Sequence, residues 1–309
     1  MSLSGHLWTI STRLRRRSLP PEAPTWSARV RDPKVGKVQL TGQLRVPAGA
    51  KDLVLLVHGL GGCSESGYMH HQERKVIGHG MACLRLNLRG ADRRGEDFYH
   101  AGLVEDLEAA LASPQLEAFE RIYLWGNSLG GHTVLRWSLA PSDPRVRAVT
   151  AVCSPLDLAA SSRVFEAFSK KPYLRYVLQA LKEIYAAVAA RRPVPLAAAE
   201  AARIGTLVEW DEKIVSPRHD FAGAADYYLR TSVGPRLAEL RLPALYVGSE
   251  GDPMVPPSSV RRSLATACGK VESRWSRRGG HMAFPRDLDL GLAPGPGLEE
   301  QILGWLRER

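Results

Sequence analysis

The stretch Arg121-Ile122-Tyr123-Leu124-Trp125-Gly126-Asn127-Ser128-Leu129-Gly130-Gly131 decides how this chain is read. Its first five residues are largely aliphatic and aromatic, which suits a strand. The next five spell G-x-S-x-G, and from Gly131 to Ala140 an apolar pattern resumes at helical spacing until Pro141 stops it. A serine on so tight a strand-to-helix turn is forced into an unfavourable backbone conformation that holds its hydroxyl clear of the sheet. Side chains two residues to either side would collide, hence a glycine at both flanks. The helix that follows supplies amide donors near any developing negative charge. Ser128 is therefore the candidate nucleophile.

Outward from this turn, strands and helices alternate. Leu53 to Val57 is an unbroken apolar run, as in a strand buried on both faces, and His58-Gly59 ends it. Val38 to Val46 alternates like an antiparallel edge hairpin. Further strand patterns lie at 82–88, 146–153, 245–248 and 271–275, and helical ones at 68–79, 103–111 and 298–309. Repetition of this kind implies right-handed crossovers and an α/β fold, with a mostly parallel central sheet and helices on both faces. The interval from Cys153 to Leu245 is far longer than an ordinary crossover of roughly a dozen residues, and its apolar residues recur at helical spacing. The expected division is an irregular arm over 1–34, a core over 35–153 and 241–309, and a helical cap insertion over 154–240.

Composition narrows the function. Apolar residues make up 44% and charged ones 24%, an ordinary globular balance. The formal charge of +10 comes from dispersed arginines with one run at Arg15-Arg16-Arg17, and no zinc-finger, basic-zipper or RNA-binding spacing accompanies it. The expected partner is a small molecule and not a nucleic acid, with at most a weak attraction to an anionic membrane surface. Cys63, Cys83, Cys153 and Cys268 are too scattered for a disulfide framework or a zinc site, so no metal or cofactor is expected. Met1 to Val30 lacks the apolar stretch of a secretory signal, and no window reaches the roughly 18 apolar residues of a membrane span. The expectation is a soluble, cytoplasmic protein.

Partners for Ser128 follow from chain order. His58-Gly59-Leu60-Gly61-Gly62 leaves the buried strand, so the backbone N–H groups of Leu60 and Leu129 are the candidate oxyanion-hole donors. Of nine histidines, only His132, His219 and His281 follow Ser128. His132 lies on the helix after the turn and His219 in the cap, whereas His281 follows the last strand at Gly279-Gly280 and is the candidate general base. The acid should follow the penultimate strand, where Asp252 precedes Pro253 and is held extended. Asp157, beyond Cys153, is the alternative acid. Phe165, Phe168, Tyr173, Tyr176 and Tyr185 either line an acyl pocket or fill the interior of the cap.

These residues resemble the YheT-type branch of the α/β-hydrolase superfamily, which holds bacterial proteins assigned as esterases and eukaryotic lipid hydrolases and acyltransferases. The resemblance runs from Leu53 to the C-terminus. It rests on His58-Gly59-Leu60, Asn87-Leu88-Arg89-Gly90, Phe98-Tyr99-His100-Ala101-Gly102, Glu105-Asp106-Leu107 and Gly126 to Gly131. It continues through Asp211-Glu212-Lys213, Asp226-Tyr227-Tyr228 and Gly279-Gly280-His281. It implies the α/β-hydrolase fold, a charge relay of Ser128, Asp252 and His281, and fold-holding roles for Tyr99, His100 and the Asp211 and Asp226 segments. The chain departs from the pattern at Asn127, where an aromatic is usual, at Trp210, where Phe is expected, and before Leu53. The expected chemistry is cleavage of carboxylic esters, with short- to medium-chain or lipid-like acyl groups, through an acyl-serine intermediate. Acyl transfer to an alcohol, amine or thiol, and a non-catalytic scaffold, are the alternatives.

Overall fold

A computed structural model describes residues 5–9, 25–167 and 171–309. The apolar run becomes β3 (Asp52–Val57), and Leu53 to Val57 are fully buried in the middle of an eight-stranded sheet. Leu53, Leu55 and Val57 face one core and Val54 and Leu56 the other, the period of two that a pleated strand imposes. The other strands are β1 (Thr25–Asp32), β2 (Gly36–Arg45), β4 (Ala82–Asn87), β5 (Arg121–Asn127), β6 (Val146–Val152), β7 (Ala244–Ser249) and β8 (Val271–Ser276), in the order β1-β2-β4-β3-β5-β6-β7-β8. Pairings β1–β2 and β2–β4 are antiparallel and the rest are parallel. After β3 the chain steps out to β4 and then returns to β5 on the other side. That reversal opens a crevice at the carboxyl ends of β3 and β5, where open α/β sheets bind their ligands.

The helices are α1 (5–9), α2 (Gly67–Gly78), α3 (Glu105–Leu111), α4 (Leu129–Trp137), α5 (Leu158–Phe165), α6 (Lys171–Ala189), α7 (Ala224–Thr231), α8 (Pro257–Ala265) and α9 (Leu298–Arg307). Between α6 and α7 lie short helical turns, among them Leu207–Trp210, a π-helical turn over Asp211–Val215, and Ser216–Arg218. Among the described residues no helix is long and apolar enough to cross a membrane.

The segment expected to be an irregular arm over 1–34 is partly ordered. Residues 5–9 are helical, and β1 pairs with β2 from Thr25↔Gln43 to Asp32↔Gly36. The alternation in β1 is hard to see because only Trp26 is a large inward apolar residue, and the other fully inward position is an aspartate. Arg15-Arg16-Arg17 lie outside the described residues.

Asp32 faces inward because it belongs to a buried ion network. Arg89 donates to Asp106 through Nε and Nη2 and to Asp32 and Asp97 through Nη1, and Arg218 donates to Asp97 and Asp32. Five charged side chains thus join β1, the loops around Arg89 and Asp97, α3 and the turn at Ser216–Arg218, which belongs to the segment inserted between β6 and β7. Removing one member of such a cluster strands the others without compensation, at a cost of about 3–5 kcal/mol. Asp97→Ala should therefore lower the free energy of urea unfolding by that amount. A loss below about 1 kcal/mol would mean that the network contributes no more than surface pairs do.

Candidate active site

Ser128 sits between β5 and α4 with φ 52° and ψ −119°, a strained region for a residue with a Cβ. The flanking glycines are steric necessities. A methyl at Gly126 would strike the backbone of Gly130, and one at Gly130 would come within 2.5 Å of the carbonyl oxygens of Val57 and His58. Asn127, where an aromatic was expected, turns away from the crevice and exchanges two hydrogen bonds with Gln72 of α2, at 2.9 and 3.0 Å. A reciprocal amide pair thus braces the turn from behind.

The structure brings Ser128, His281 and Asp252 together. His281 Nε2 lies 3.1 Å from Ser128 Oγ, and His281 Nδ1 lies 2.9 Å from Asp252 Oδ2. Asp252 Oδ1 accepts the backbone N–H groups of Met254 (2.8 Å) and Val255 (2.9 Å), which fixes the carboxylate. Both Asp252 and His281 are buried. With Nδ1–H directed at the carboxylate, the Nε2 lone pair faces the serine hydroxyl. Asp157, the alternative acid, does not reach His281. Its carboxylate caps α5 by accepting the Ala160 N–H at 2.9 Å. Cys153 brings a third donor atom, within 4.8 Å of those on Asp252 and His281. The facing atoms of that pair are already bonded to each other, and burial pushes the Cys153 thiol well up, so it stays protonated.

The loop after β3 is held by side chains. His58 bonds the Gly59 carbonyl through Nδ1 at 2.8 Å and accepts the Leu88 N–H at Nε2 at 3.2 Å. Tyr68 OH accepts the Gly59 N–H and Tyr99 OH accepts the Gly61 N–H, at 2.9 and 2.7 Å. The N–H of Leu60, between them, has no partner among the described residues, and neither has that of Leu129, the first residue of α4. Gly59 lies against Ser128, where an added methyl would be 3.0 Å from its Cβ.

One contributor left no trace in the sequence. Thr9 of α1 accepts the His281 N–H at 2.9 Å and donates to the Gly5 carbonyl at 2.9 Å. A methyl at Gly5 would overlap the Gly251 carbonyl, and one at Gly280 would overlap Gly5, so α1 is wedged between the acid loop and the histidine loop. His6 reaches the Tyr173 hydroxyl of α6 at 2.8 Å and stacks on its ring. No local pattern announces contacts between residues so far apart in the chain.

A cavity of about 1060 Å³ runs from Ser128 and His281 beneath the helices between β6 and β7. Phe165 and Tyr176 line it, together with Trp210 and with Trp8 of α1. Tyr173 and Tyr185, candidates for the same role, do not. Tyr173 is buried against His6, and Tyr185 bonds the backbone of Leu196 and packs on Phe98 and Trp210. They lie on the face of α6 that the core takes up. Phe168 lies outside the described residues.

Residues 52–287 match the model of the alpha/beta hydrolase fold family. The chain is 29% identical over 313 aligned residues to the Escherichia coli (strain K12) protein named "Putative esterase YheT", covering 97% of this chain and 89% of that one. A Pyrococcus furiosus esterase structure superposes with a TM-score of 0.55 at 15% identity, over 84% of both chains. An esterase domain from a Rhodothermus marinus protein does so with a TM-score of 0.54 at 18% identity, over 92% of this chain and 95% of the other.

Burial holds the His58 pKa down to about 4 from an ordinary 6.5, and charging it would also break the Leu88 bond. The unfolded chain therefore binds a proton that the folded chain refuses. The stability this residue contributes is complete above about pH 6.5 and is lost as pH falls toward 4, on the order of 3 kcal/mol in all. His100 and His132, both buried, and the half-buried His219 are likewise held below their ordinary value. They act in the same direction and together outweigh the opposite contribution of Asp211, whose carboxyl burial pushes up to about 7. Urea midpoints should be level from pH 7 to 8 and drop steeply between 6.5 and 4. A flat profile to pH 5 would contradict the buried, neutral assignment.

Proposed function

The chain belongs to the α/β-hydrolase fold family, and from that premise we propose that it is a serine-dependent carboxylic ester hydrolase. The observation that carries this reading is the unbroken relay from Asp252 through His281 to Ser128, each link at bonding distance, at the floor of a largely apolar cavity. Ser128 Oγ attacks the ester carbonyl carbon while His281 Nε2 takes the hydroxyl proton. Asp252 holds Nδ1–H and stabilises the imidazolium without taking the proton. The carbonyl oxygen, now negative, is met by the free N–H groups of Leu60 and Leu129, and a single such donor is worth roughly 10² to 10³ in kcat. His281 passes its proton to the departing alkoxide and leaves an acyl-serine. Water then attacks with His281 as base, and the second tetrahedral intermediate collapses to release the acid and restore Ser128.

The helices over 154–240 act as a cap, and the apolar wall of Phe165, Val177, Leu181 and Trp210 suits a short- to medium-chain or lipid-like acyl group. Water is favoured as the acceptor because the relatives reported above carry esterase names. Acyl transfer would use the same intermediate with an alcohol, amine or thiol in place of water.

The test is a panel of p-nitrophenyl esters of graded length, run with and without a small alcohol. Ser128→Ala should lower kcat by on the order of 10³ to 10⁶ with the circular dichroism unchanged. Asp252→Asn should lose most of the activity and Asp157→Asn little of it. Wild-type-like turnover by Ser128→Ala would remove the serine mechanism, and ester product formed only with alcohol present would move the reading to acyl transfer.

A further inference from the structure

Among the residues of the inserted helices that line the cavity, Asp211 is the carboxylate. Asp211 opens the π-helical turn Asp211–Val215, is half-buried and lines the cavity, as do Leu158, Phe165, Leu207 and Trp210. Its Oδ2 accepts the Tyr228 hydroxyl at 2.7 Å, and the Ser162 hydroxyl stands beside Tyr228. Its Oδ1 takes no hydrogen bond from any described residue. A tie between the turn and α7 needs only the first of these oxygens. The second is left to whatever occupies the cavity, and an apolar occupant that displaced water from it would leave a polar atom without a partner, which is costly. Burial pushes the Asp211 carboxyl up to about 7, as expected of a carboxyl with one hydroxyl for company. Turns of π-helix are frequent at functional sites, where they redirect a side chain that a regular helix would point elsewhere.

We propose that Asp211 and Tyr228 form a polar subsite of the cavity that selects substrates whose chain carries a hydroxyl group away from the reacting carbonyl. The subsite rests on the hydrolase reading for the word substrate, but not for the binding itself. A chain hydroxyl donates to Asp211 Oδ1 and completes the carboxyl's bonding, whereas a plain alkyl chain covers that oxygen and leaves it unpaired. A site built around such a bond discriminates more sharply against the analogue lacking the hydroxyl than an apolar wall discriminates against an extra one. A neutral hydroxyl suits the site better than an ammonium group, which would have to give up its hydration on entry.

The test measures binding and turnover separately. Matched pairs of unreactive alkyl amides, from about six to twelve carbons with and without a terminal hydroxyl, are titrated calorimetrically into the full chain, Asp211→Leu, Asp211→Asn and Tyr228→Phe. At the best length the wild type should bind the hydroxylated amide at least about tenfold more tightly, Asp211→Leu should abolish or reverse the preference, and Asp211→Asn should reduce it. Tyr228→Phe, which leaves the carboxyl in place, should retain a preference, and this supplies the comparison if Asp211→Leu does not fold. Equal affinities for the two amides in the wild type, or an undiminished preference in folded Asp211→Asn, would overturn the subsite. A hydroxyl preference in binding with no turnover of the corresponding p-nitrophenyl esters would uphold the subsite and count against the esterase reading instead.

Discussion

The left-handed backbone at Ser128 is the constraint on which the rest of the structure depends. A non-glycine residue at φ 52° is stable only where its surroundings leave it no alternative, and here they do so from every side. In front, β5 must end where it does because Gly126 and Gly130 permit an approach that no side chain would. Behind, the amide pair of Asn127 and Gln72 ties the turn to α2. The sheet order places this turn beside the end of β3, so the loop that carries Leu60 comes up against the serine at Gly59. Strain at the turn and the rigidity of the sheet are two descriptions of one arrangement.

The loops around the serine are fixed by polar ties more than by secondary structure. Tyr68 and Tyr99 take the N–H groups flanking Leu60 and leave its own amide free. Asp252 is aimed by two backbone amides, and the His281 loop is anchored through its main chain to Thr9. The Arg89–Arg218 network performs the same task for the inserted helices. It joins them to the core through buried charges whose separation would be costly. Such ties allow a cavity to persist where a fully apolar interface would collapse to fill it.

What was legible in the sequence was local. The run at 53–57, the glycine-flanked serine and the histidine after the last strand each combine a pattern with a position, and steric or burial rules read them directly. The elements that escaped were those whose meaning depends on distant partners. Residues 5–9 and β1 lie in a Pro-, Arg- and Ser-rich stretch, yet one wedges between the triad loops and the other carries an inward aspartate into the ion network. The aromatics of the inserted helices show the limit of periodicity most plainly. Helical spacing groups Tyr173, Tyr176 and Tyr185, but α6 lies between the core and the cavity, and spacing alone cannot say which of the two a ring will meet. Asp157 was plausible as an acid by position, and only its bond to Ala160 reveals a helix cap.

The central claim is that Ser128 is a nucleophile activated by His281, and covalent labelling reads this without knowledge of the substrate. The intact protein is treated with a fluorophosphonate probe and the adduct is located by peptide mass spectrometry, alongside the His281→Ala variant. The account predicts a single adduct on Ser128 in the wild type and strongly slowed labelling in the variant. An adduct on another residue, or labelling of Ser128 at an unchanged rate without His281, would contradict it.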